Sequence, residues 1–256
     1  MFRKLRIVLL LLVLATVAQT AWLAKSRATN WTSSVGVAVY PIAGDGSGAV
    51  GAYIAKLNAD QFDPIEEFFE REAKRYGVDT WRPVDVSLAP PIASLPPAAP
   101  TGGNPLRAIL WSLEMRYWAW RHDAHQGPKP QVRLYVVYHD PAQTGSVAHS
   151  LGLEKGLIGV IHAFASRSMG SQNNVIIAHE LLHTLGATDK YDPTTNQPRF
   201  PDGYAEPERT PPTPQEEAEI MGGRTPISES ESEIPRSLQE VIVGPATARE
   251  INWIKG

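Results

Sequence analysis

The sequence predicts an α+β domain in which helices pack against a β-sheet. Four runs rich in β-branched and aromatic residues are typical of buried strands, at residues 35–40, 84–88, 132–138 and 157–164. Helical stretches lie between and after these runs, and the one that follows the last run carries two histidines four residues apart. We therefore expect a sheet with packed helices, and a histidine-bearing helix that forms the floor of a cleft.

The first 24 residues have the pattern of a secretory signal. Arg3, Lys4 and Arg6 precede an apolar run at 7–18 that contains no charge. No small-x-small cleavage site follows this run, so residues 1–24 are predicted to be either a cleaved signal peptide or a retained membrane anchor. In both cases the basic residues stay in the cytoplasm and the remainder is exported, to the periplasm or to the outside of the cell.

Composition narrows the classes of function. The formal net charge of -3 gives no reason to expect nucleic acid as a partner. The chain has no cysteine, which excludes disulfide bonds and any form of regulation in which a cysteine thiol binds and blocks an active site. About 230 residues follow the N-terminal segment, enough for one sizeable domain.

The connecting segments and helices follow in chain order. The glycine-rich stretch 44–51 predicts a flexible turn, because no lysine follows it at the spacing of a phosphate-binding loop. A helix begins at Asp63 and Pro64 and is closed by Gly77. The proline-rich stretch 90–105 predicts an extended surface connection, and residues 245–254 predict a last helix.

The helix predicted at residues 106–121 is rich in leucine and tryptophan. With apolar residues on most sides, much of its circumference is expected to be covered by the rest of the domain. Packing against the sheet is preferred here over a carbohydrate-binding or membrane surface, because large exposed apolar patches are uncommon on soluble domains.

The candidate metal site lies in the helix that follows the last strand. His179 and His183 project from one face about a turn apart, which is the geometry that one metal ion needs from two nitrogens. Glu180 lies about 100° round the helix, so it is better placed to take a proton from a metal-activated water than to bind the ion. Gly186 can end the helix and turn the chain back, and Asp189 is then the first metal-binding side chain that the returning chain offers.

The whole pattern, His179-Glu180-x-x-His183-x-x-Gly186-x-x-Asp189, resembles the extended zinc motif of the metzincin metalloproteases. It matches the variant of that motif in which Asp replaces the third His, as in snapalysin-type bacterial proteases. The resemblance implies Zn²⁺ as the cofactor, with both histidines and the aspartate as ligands and the glutamate as general base.

A second segment, AEIMGG at residues 218–223, resembles the metzincin Met-turn, with Met221 in the methionine position. The resemblance implies a metzincin-like protease domain over residues 30–256, with a mixed sheet and the Met-turn beneath the metal. It also implies an antiparallel edge strand that pairs with extended substrate, for which residues 147–153 and 157–164 are both candidates.

Other residues compete for, or could support, these roles. Tyr191 and Tyr204 are candidates to donate a hydrogen bond to the developing oxyanion. His162 could orient a zinc ligand, although a core histidine bonded to backbone is the preferred interpretation. The loop after the helix shows no spacing that requires calcium.

Alternatives to Asp189 as the third ligand remain open, namely Asp192, Glu206, Glu216 and Glu217.

These observations predict a zinc metalloendopeptidase that hydrolyses peptide bonds in a peptide or protein substrate. The alternative is a non-catalytic envelope protein that keeps a structural zinc and binds a partner through its aromatic helix or proline-rich stretch. The presence of Glu180 favours catalysis, since binding needs no base. Contact with a membrane is expected only through the N-terminal segment, and the sequence leaves cleavage specificity and oligomeric state open.

Overall fold

The computed structural model describes residues 6, 19, 23, 26–100, 105–145, 151–153 and 157–254. The signal or anchor predicted at residues 1–24 lies outside the described residues, apart from Arg6, Gln19 and Leu23. Within the described part, no helix combines the length and the hydropathy needed to cross a membrane.

A five-stranded mixed sheet organises the domain. Its strands are, in chain order, β1 (Val35–Ala43), β2 (Val84–Leu88), β3 (Val132–His139), β4 (Leu151–Leu153) and β5 (Ile158–Phe164). They are arranged in the order β2-β1-β3-β5-β4. The strands from β2 to β5 in this order are parallel, and the edge strand β4 runs antiparallel to β5. The predicted α+β class, with a mixed sheet and packed helices, is confirmed.

The antiparallel edge strand resolves a choice that the sequence left open. Strand β4 lies within the candidate range 147–153, and its Gly152 is opposite Gly159. The other candidate range, 157–164, contains β5, which is an inner strand with β3 on one side and β4 on the other. Among the described strands, β4 is therefore the one at this margin of the sheet.

Helices and 3₁₀ turns surround the sheet. The α-helices of the described part are α1 (Gly48–Ile54), α2 (Asp63–Arg75), α3 (Pro105–Arg121), α4 (Gly170–Leu185) and α5 (Pro245–Glu250), and 3₁₀ turns occur at Ala59–Phe62, Arg167–Met169 and Leu238–Glu240. Helix α1 corrects the prediction of a flexible turn, because the Ser47 hydroxyl accepts a hydrogen bond from the Val50 amide at 3.2 Å and Val50 is buried. Helix α5 is shorter than predicted.

Apolar side chains fill both faces of the sheet. Along β1, Val37 and Val39 belong to one core and Tyr40 to the other, as the alternation of a strand requires. The first core includes buried side chains of α2, α4 and α5. The second includes Met115 and Ala119 of α3. The two faces are thus covered by different helices, and α4 lies on the side opposite α3.

Helix α3 contradicts the prediction that most of its circumference is covered. Met115 and Ala119 face the sheet and are buried, whereas six large apolar side chains on its outer side are exposed: Leu106, Ile109, Leu110, Leu113, Tyr117 and Trp120. One side of a helix is enough to cover the sheet beneath it. Among the described residues, nothing buries the outer side.

Two small strand pairs hold the C-terminal part of the domain beside α4. Strand β6 (Ala218–Glu219) pairs in parallel with β9 (Val241–Ile242), and β7 (Thr225–Pro226) pairs antiparallel with β8 (Ser232–Glu233). Directly after β6, Ile220 and Met221 are buried in the same core as Leu181 of α4. The segment predicted to be a Met-turn is therefore packed against the histidine-bearing helix.

Candidate metal centre

Helix α4 is anchored by its apolar residues and ended by a glycine. Ile177, Leu181 and Leu185 are buried against the sheet, which fixes the direction in which the histidines project. Gly186 has φ 110° and is left-handed, and its N–H donates to the His183 carbonyl at 3.1 Å. A left-handed residue costs least as glycine, so the chain turns back at the predicted position.

Both imidazoles are oriented by backbone carbonyls. Nδ1 of His179 lies 2.8 Å from the carbonyl oxygen of Ile220, and Nδ1 of His183 lies 2.8 Å from that of Ala187. A carbonyl accepts a hydrogen bond, so each Nδ1 carries the hydrogen and, in the neutral imidazole, each Nε2 keeps its lone pair. Hydrogen bonds of this kind fix ring orientation and tautomer in metal-binding histidines.

Both Nε2 atoms face one carboxylate oxygen. Oδ1 of Asp189 lies 3.3 Å from Nε2 of His179 and 3.0 Å from Nε2 of His183. Around a tetrahedral zinc with bonds of about 2.0–2.1 Å, neighbouring ligand atoms are about 3.3 Å apart. The measured separations are close to that value, so these three residues fit a metal ion.

The charges of the site favour an ionised carboxylate. Burial opposes ionisation of Asp189, but the imidazoles of His179 and His183 hold its pKa well below its usual range. Burial would lower the pKa of His179, yet the hydrogen bond to Asp189 and the charge of Glu180 raise it. Two imidazole nitrogens and one anionic oxygen are ligands that a divalent cation can share.

Glu180 lies beside this ligand set. His179, Glu180 and His183 form a group whose ligand atoms all lie within 4.8 Å of one another and could hold a metal ion. The Glu180 side chain is buried, with 5% of its surface exposed. Oδ1 of Asp189, within 3.3 Å of both imidazole nitrogens, brings a second carboxylate to the same two histidines.

The turn after β6 supports His179. The Ile220 carbonyl that accepts from His179 belongs to this turn, and Met221 beside it is fully buried. The amides of Gly222 and Gly223 both donate to the Glu219 carbonyl at 3.0 Å. A Cβ on Gly222 would lie 2.5 Å from the Gly203 carbonyl oxygen, so no side chain fits there. Met221 thus occupies a tight, buried turn next to the carbonyl that His179 contacts.

The Glu219 carboxylate ties this turn to α5. It accepts hydrogen bonds from the Gly222 amide at 2.8 Å, the Gly244 amide at 3.0 Å and the Thr247 hydroxyl at 2.6 Å. Burial raises the pKa of Glu219, and these three donors partly oppose the rise. The carbonyl that orients His179 is therefore held by a buried network that reaches the last helix.

A buried lysine ties the loop after α4 to the same helix. The Lys190 ammonium donates to the Thr188 carbonyl and to Glu250, both at 2.7 Å, and the Lys190 amide donates to the Met221 carbonyl at 2.8 Å. Burial would raise the pKa of Glu250, but Lys190 and Thr188 lower it. Asp189 lies between Thr188 and Lys190, so these contacts fix the backbone of the candidate ligand.

The two candidate tyrosines differ in their surroundings. The Tyr191 ring lies 6.4 Å from the His179 ring, and burial together with the charges of Asp189 and Glu180 raises its pKa to about 12. Tyr204 is packed against Phe200, with ring centroids 5.3 Å apart. Tyr191 is thus the tyrosine that the fold brings next to the histidines.

His162 is placed with another histidine. Its Nδ1 lies 2.9 Å from Nε2 of His139 on the neighbouring strand, and the two rings are stacked with centroids 5.2 Å apart. Burial and the nearby His139 lower the pKa of His162. The His162 ring is therefore packed against His139 of β3.

The competing carboxylates have other partners. Asp192 accepts a hydrogen bond from the Thr194 amide at 2.7 Å within its own loop. Glu206 and Glu216 both face Arg209, at 3.0 and 3.1 Å. The structure thus brings Asp189, rather than these three residues, to the two histidines.

A cavity of about 300 Å³ opens beside His179. Its apolar lining comes from Val175, Ile176, Ile220 and Ile234, and Arg224 and Tyr191 contribute polar groups. A larger cavity, of about 410 Å³, lies at the other end of α4 beside Gly170. We consider the smaller cavity as the candidate substrate pocket, because it alone of these two includes a histidine of the metal centre.

Several supporting groups were not predicted from the sequence. The carbonyls of Ile220 and Ala187 carry no side-chain signal, and the buried Glu219 and Lys190 resemble ordinary surface charges in the sequence. The tight turn at Met221 was expected from the resemblance of residues 218–223 to the Met-turn. His139, the partner of His162, ends a strong strand pattern and could have been noted.

No model of a known protein family matches this sequence, and no curated protein matches it. Among solved structures, the chain has a distant match to the crystal structure of wild-type OgpA from Akkermansia muciniphila, with a TM-score of 0.35 and 13% sequence identity. The match covers 84% of this chain and 58% of that one, so the chain spans little more than half of its structural neighbour. A similarity this distant carries no argument about fold or chemistry.

Proposed function

We propose that the protein is a zinc-dependent endopeptidase, with His179, His183 and Asp189 as zinc ligands and Glu180 as the general base. The observation that carries the proposal is the approach of both Nε2 atoms to one oxygen of Asp189, while both Nδ1 atoms are bonded to carbonyls. Three protein ligands with a carboxylate beside them are typical of a catalytic zinc site, which keeps one position for water.

The proposed chemistry divides between the cofactor and the side chains. Bound zinc would supply a Lewis acid and lower the pKa of water at its open position. Glu180 would take the proton of the attacking water and pass it to the leaving amine. Tyr191 would donate a hydrogen bond to the carbonyl oxygen as negative charge develops there. Its pKa of about 12 keeps the phenol protonated at neutral pH.

The proposed substrate is a peptide or protein chain in extended conformation. Within the described part of the chain, β4 is the marginal strand of the sheet, and its outer edge would offer backbone groups for pairing with such a chain. The cavity beside His179 would take one side chain of the substrate, and its valine and isoleucine lining favours a medium-sized apolar one. Cleavage next to an apolar residue is therefore the preference that we expect.

The proposed location follows from the N-terminal pattern. We propose that residues 30–256 form the protease domain and that residues 1–24 direct its export, as a cleaved signal or as a retained anchor. The substrate would then be a peptide or protein of the periplasm or the cell exterior.

The test compares the full-length protein with three variants: Glu180→Gln, Asp189→Asn and the matched control Asp192→Asn. Bound zinc and hydrolysis of an unbiased peptide library are measured for each. We expect the parent and Asp192→Asn to bind one zinc and to cleave peptides. We expect Glu180→Gln to bind zinc without cleaving, and Asp189→Asn to bind zinc at least about tenfold more weakly.

Each outcome has a defined consequence. If no zinc binds to the parent protein, the proposal is wrong. If zinc binds but the parent cleaves nothing, the alternative becomes the better account, namely a partner-binding envelope protein with a structural zinc. If Asp192→Asn loses zinc and Asp189→Asn does not, the third ligand has been misassigned.

A further inference from the structure

Arg224 brings a guanidinium into the lining of the cavity beside His179. Much of the remaining lining is apolar and includes Val175, Ile176 and Ile220. The arginine is partly buried, so its charge is drawn away from bulk water. An apolar side chain of the substrate makes no use of this charge, which suits an anionic group instead.

The guanidinium of Arg224 has little to bind within the protein. Its Nη1 lies 3.5 Å from the carbonyl oxygen of Ser232, which is longer than a normal N–H···O hydrogen bond. In the described part of the chain, Arg224 forms no ion pair with a carboxylate. Other arginines of the domain are paired with carboxylates, among them Arg71, Arg75, Arg133 and Arg209. A guanidinium has five N–H donors, so most of those of Arg224 are left for solvent or a ligand.

The backbone on both sides of Arg224 is held in place. Before it, Gly223 has φ 71°, in the left-handed region that favours glycine, and its amide donates to the Glu219 carbonyl at 3.0 Å. After it, Thr225 begins β7 and is paired with Glu233 of β8. A side chain that starts from a fixed backbone loses less freedom when it binds a ligand, which favours a defined binding position for the guanidinium.

The cavity places this guanidinium close to the candidate metal centre. His179 and Tyr191 line the same cavity of about 300 Å³ as Arg224. Val175 and Ile220 are buried and form inner walls, whereas Arg224 is partly exposed and lies nearer to solvent. A substrate that places an apolar side chain between these walls therefore brings an adjacent group of its own to the guanidinium.

A carboxylate is the group that suits this position best. The planar guanidinium can donate two parallel hydrogen bonds to the two oxygens of a carboxylate, and such charge-assisted bonds are stronger than neutral ones. Partial burial strengthens the attraction relative to that between fully exposed charges. The carboxylates of a peptide are the side chains of aspartate and glutamate and the C-terminal group, and all of them share this chemistry.

We propose that Arg224 determines substrate specificity by binding a carboxylate of the peptide, next to the apolar residue whose side chain occupies the cavity. This role rests on the proposed function, because it concerns the substrate of the same site. It adds that the preferred substrates carry an acidic residue or a free C-terminus beside that apolar residue. Arg224 positions the substrate and takes no part in proton transfer.

Matched pairs of peptides test this role. Each peptide has one leucine in an alanine and serine background, with glutamate or glutamine at one of the positions within three residues of the leucine. Each is made with a free and with an amidated C-terminus. The ratio kcat/KM is measured with the full-length, zinc-loaded protein and its variants Arg224→Gln, Arg224→Lys and Arg236→Gln. Arg236 is exposed and does not line the cavity, so Arg236→Gln is the matched control.

Binding of the same peptides is measured separately from cleavage. Dissociation constants of the fluorescently labelled peptides are determined for Glu180→Gln and for Glu180→Gln combined with Arg224→Gln. Removing the proposed base allows peptides to be bound without being cleaved. The role of Arg224 is thereby tested independently of the role of Glu180.

We expect kcat/KM to be about tenfold or more higher with glutamate than with glutamine at one or more positions, or with the free C-terminus than with the amide. Which of the two series shows the difference identifies the source of the carboxylate. In Arg224→Gln the ratio should fall to within about twofold of one. Arg224→Lys should keep part of it, because lysine has the charge without the planar fork, and Arg236→Gln should keep all of it. High salt should reduce the ratio, because Arg224 is partly exposed.

Two results with an active parent protein would overturn this role and leave the proposed function standing. The first is equal cleavage of acidic and amide peptides in every pair. The second is a loss of kcat/KM in Arg224→Gln that is the same for both members of each pair, which would mean that the guanidinium only holds β8 through Ser232.

A parent protein that cleaves none of the peptides would contradict the proposed function instead. Binding then decides the role of Arg224. Glutamate or free-acid peptides that bind Glu180→Gln about tenfold more tightly than their amides, with this preference lost when Arg224→Gln is added, would support it. Equal binding of acids and amides would overturn it.

Discussion

Replacing Glu219 by glutamine should weaken zinc binding although Glu219 is not a ligand. The Glu219 carboxylate accepts three hydrogen bonds, one of them from Gly222 in the turn beneath His179. Glutamine has one acceptor oxygen, and it satisfies most donors when that oxygen faces Gly244 and Thr247. Its amide hydrogens then face the Gly222 N–H, so the turn that orients His179 loses its acceptor.

The size of the effect follows from these contacts. A buried donor left without an acceptor costs about 1–3 kcal/mol, so we expect the free energy of unfolding to fall by about 2–3 kcal/mol. Displacement of the Ile220 carbonyl should weaken zinc binding about tenfold, in the range found when a group that orients a ligand is removed. Thr247→Val is the matched control, because it removes one donor from the other end of the carboxylate and should leave zinc affinity within about twofold.

Denaturant unfolding of the zinc-free proteins gives the first quantity, and competition with a chelator of known affinity gives the second. A Glu219→Gln protein with unchanged zinc affinity would show that the carboxylate does not hold the turn in position. Equal losses of zinc affinity in Glu219→Gln and Thr247→Val would contradict the selective effect on Gly222.

Three further predictions concern the same domain. Tyr191→Phe should lower kcat about tenfold or more with little change in KM, because the hydroxyl acts mainly as charge develops, whereas Tyr204→Phe should leave kcat unchanged. Lys190→Met should lower the free energy of unfolding by only about 1–2 kcal/mol at neutral pH, since Glu250 is partly exposed. Because Lys190 lowers the pKa of Glu250 in the folded protein, this loss should be complete above the pKa of an unfolded glutamate and should shrink as the pH falls through the folded-state pKa of Glu250. Urea unfolding at several pH values measures this difference. Ile176→Phe should partly fill the cavity beside His179 and lower kcat/KM about tenfold for substrates with large apolar side chains, but not for those with small ones.

Patterns within short segments were enough to predict much of the fold. The strand segments of the prediction all lie in the observed sheet, because β-branched runs of this length suit a buried strand in almost any context. The spacing of His179 and His183 put both imidazoles on one side of α4, since the helical period decides which positions share a face. Gly186 ends α4 because glycine readily adopts the left-handed conformation that stops a helix, which is also a local property.

Other features depended on partners distant in the chain. The composition of α3 did not predict that the apolar side chains on its outer side are exposed. Apolar residues indicate that a helix face can be buried, but they do not show whether another part of the chain packs against it. Ser47 and Val50 stabilised a helix in a stretch whose glycines predicted a turn. The orientation of His179 came from the carbonyl of Ile220, 41 residues away.

The sequence alone was enough to predict the helix that carries His179, Glu180 and His183 and the face on which the two histidines lie. Tertiary structure was needed to bring Asp189 within 3.3 Å of both histidines and to place the Tyr191 ring 6.4 Å from that of His179. The physical reason is that local conformation is set by neighbours along the chain. Which side chains converge is set instead by the packing of loops against α4 and α5, through contacts such as those of Lys190 and Glu219.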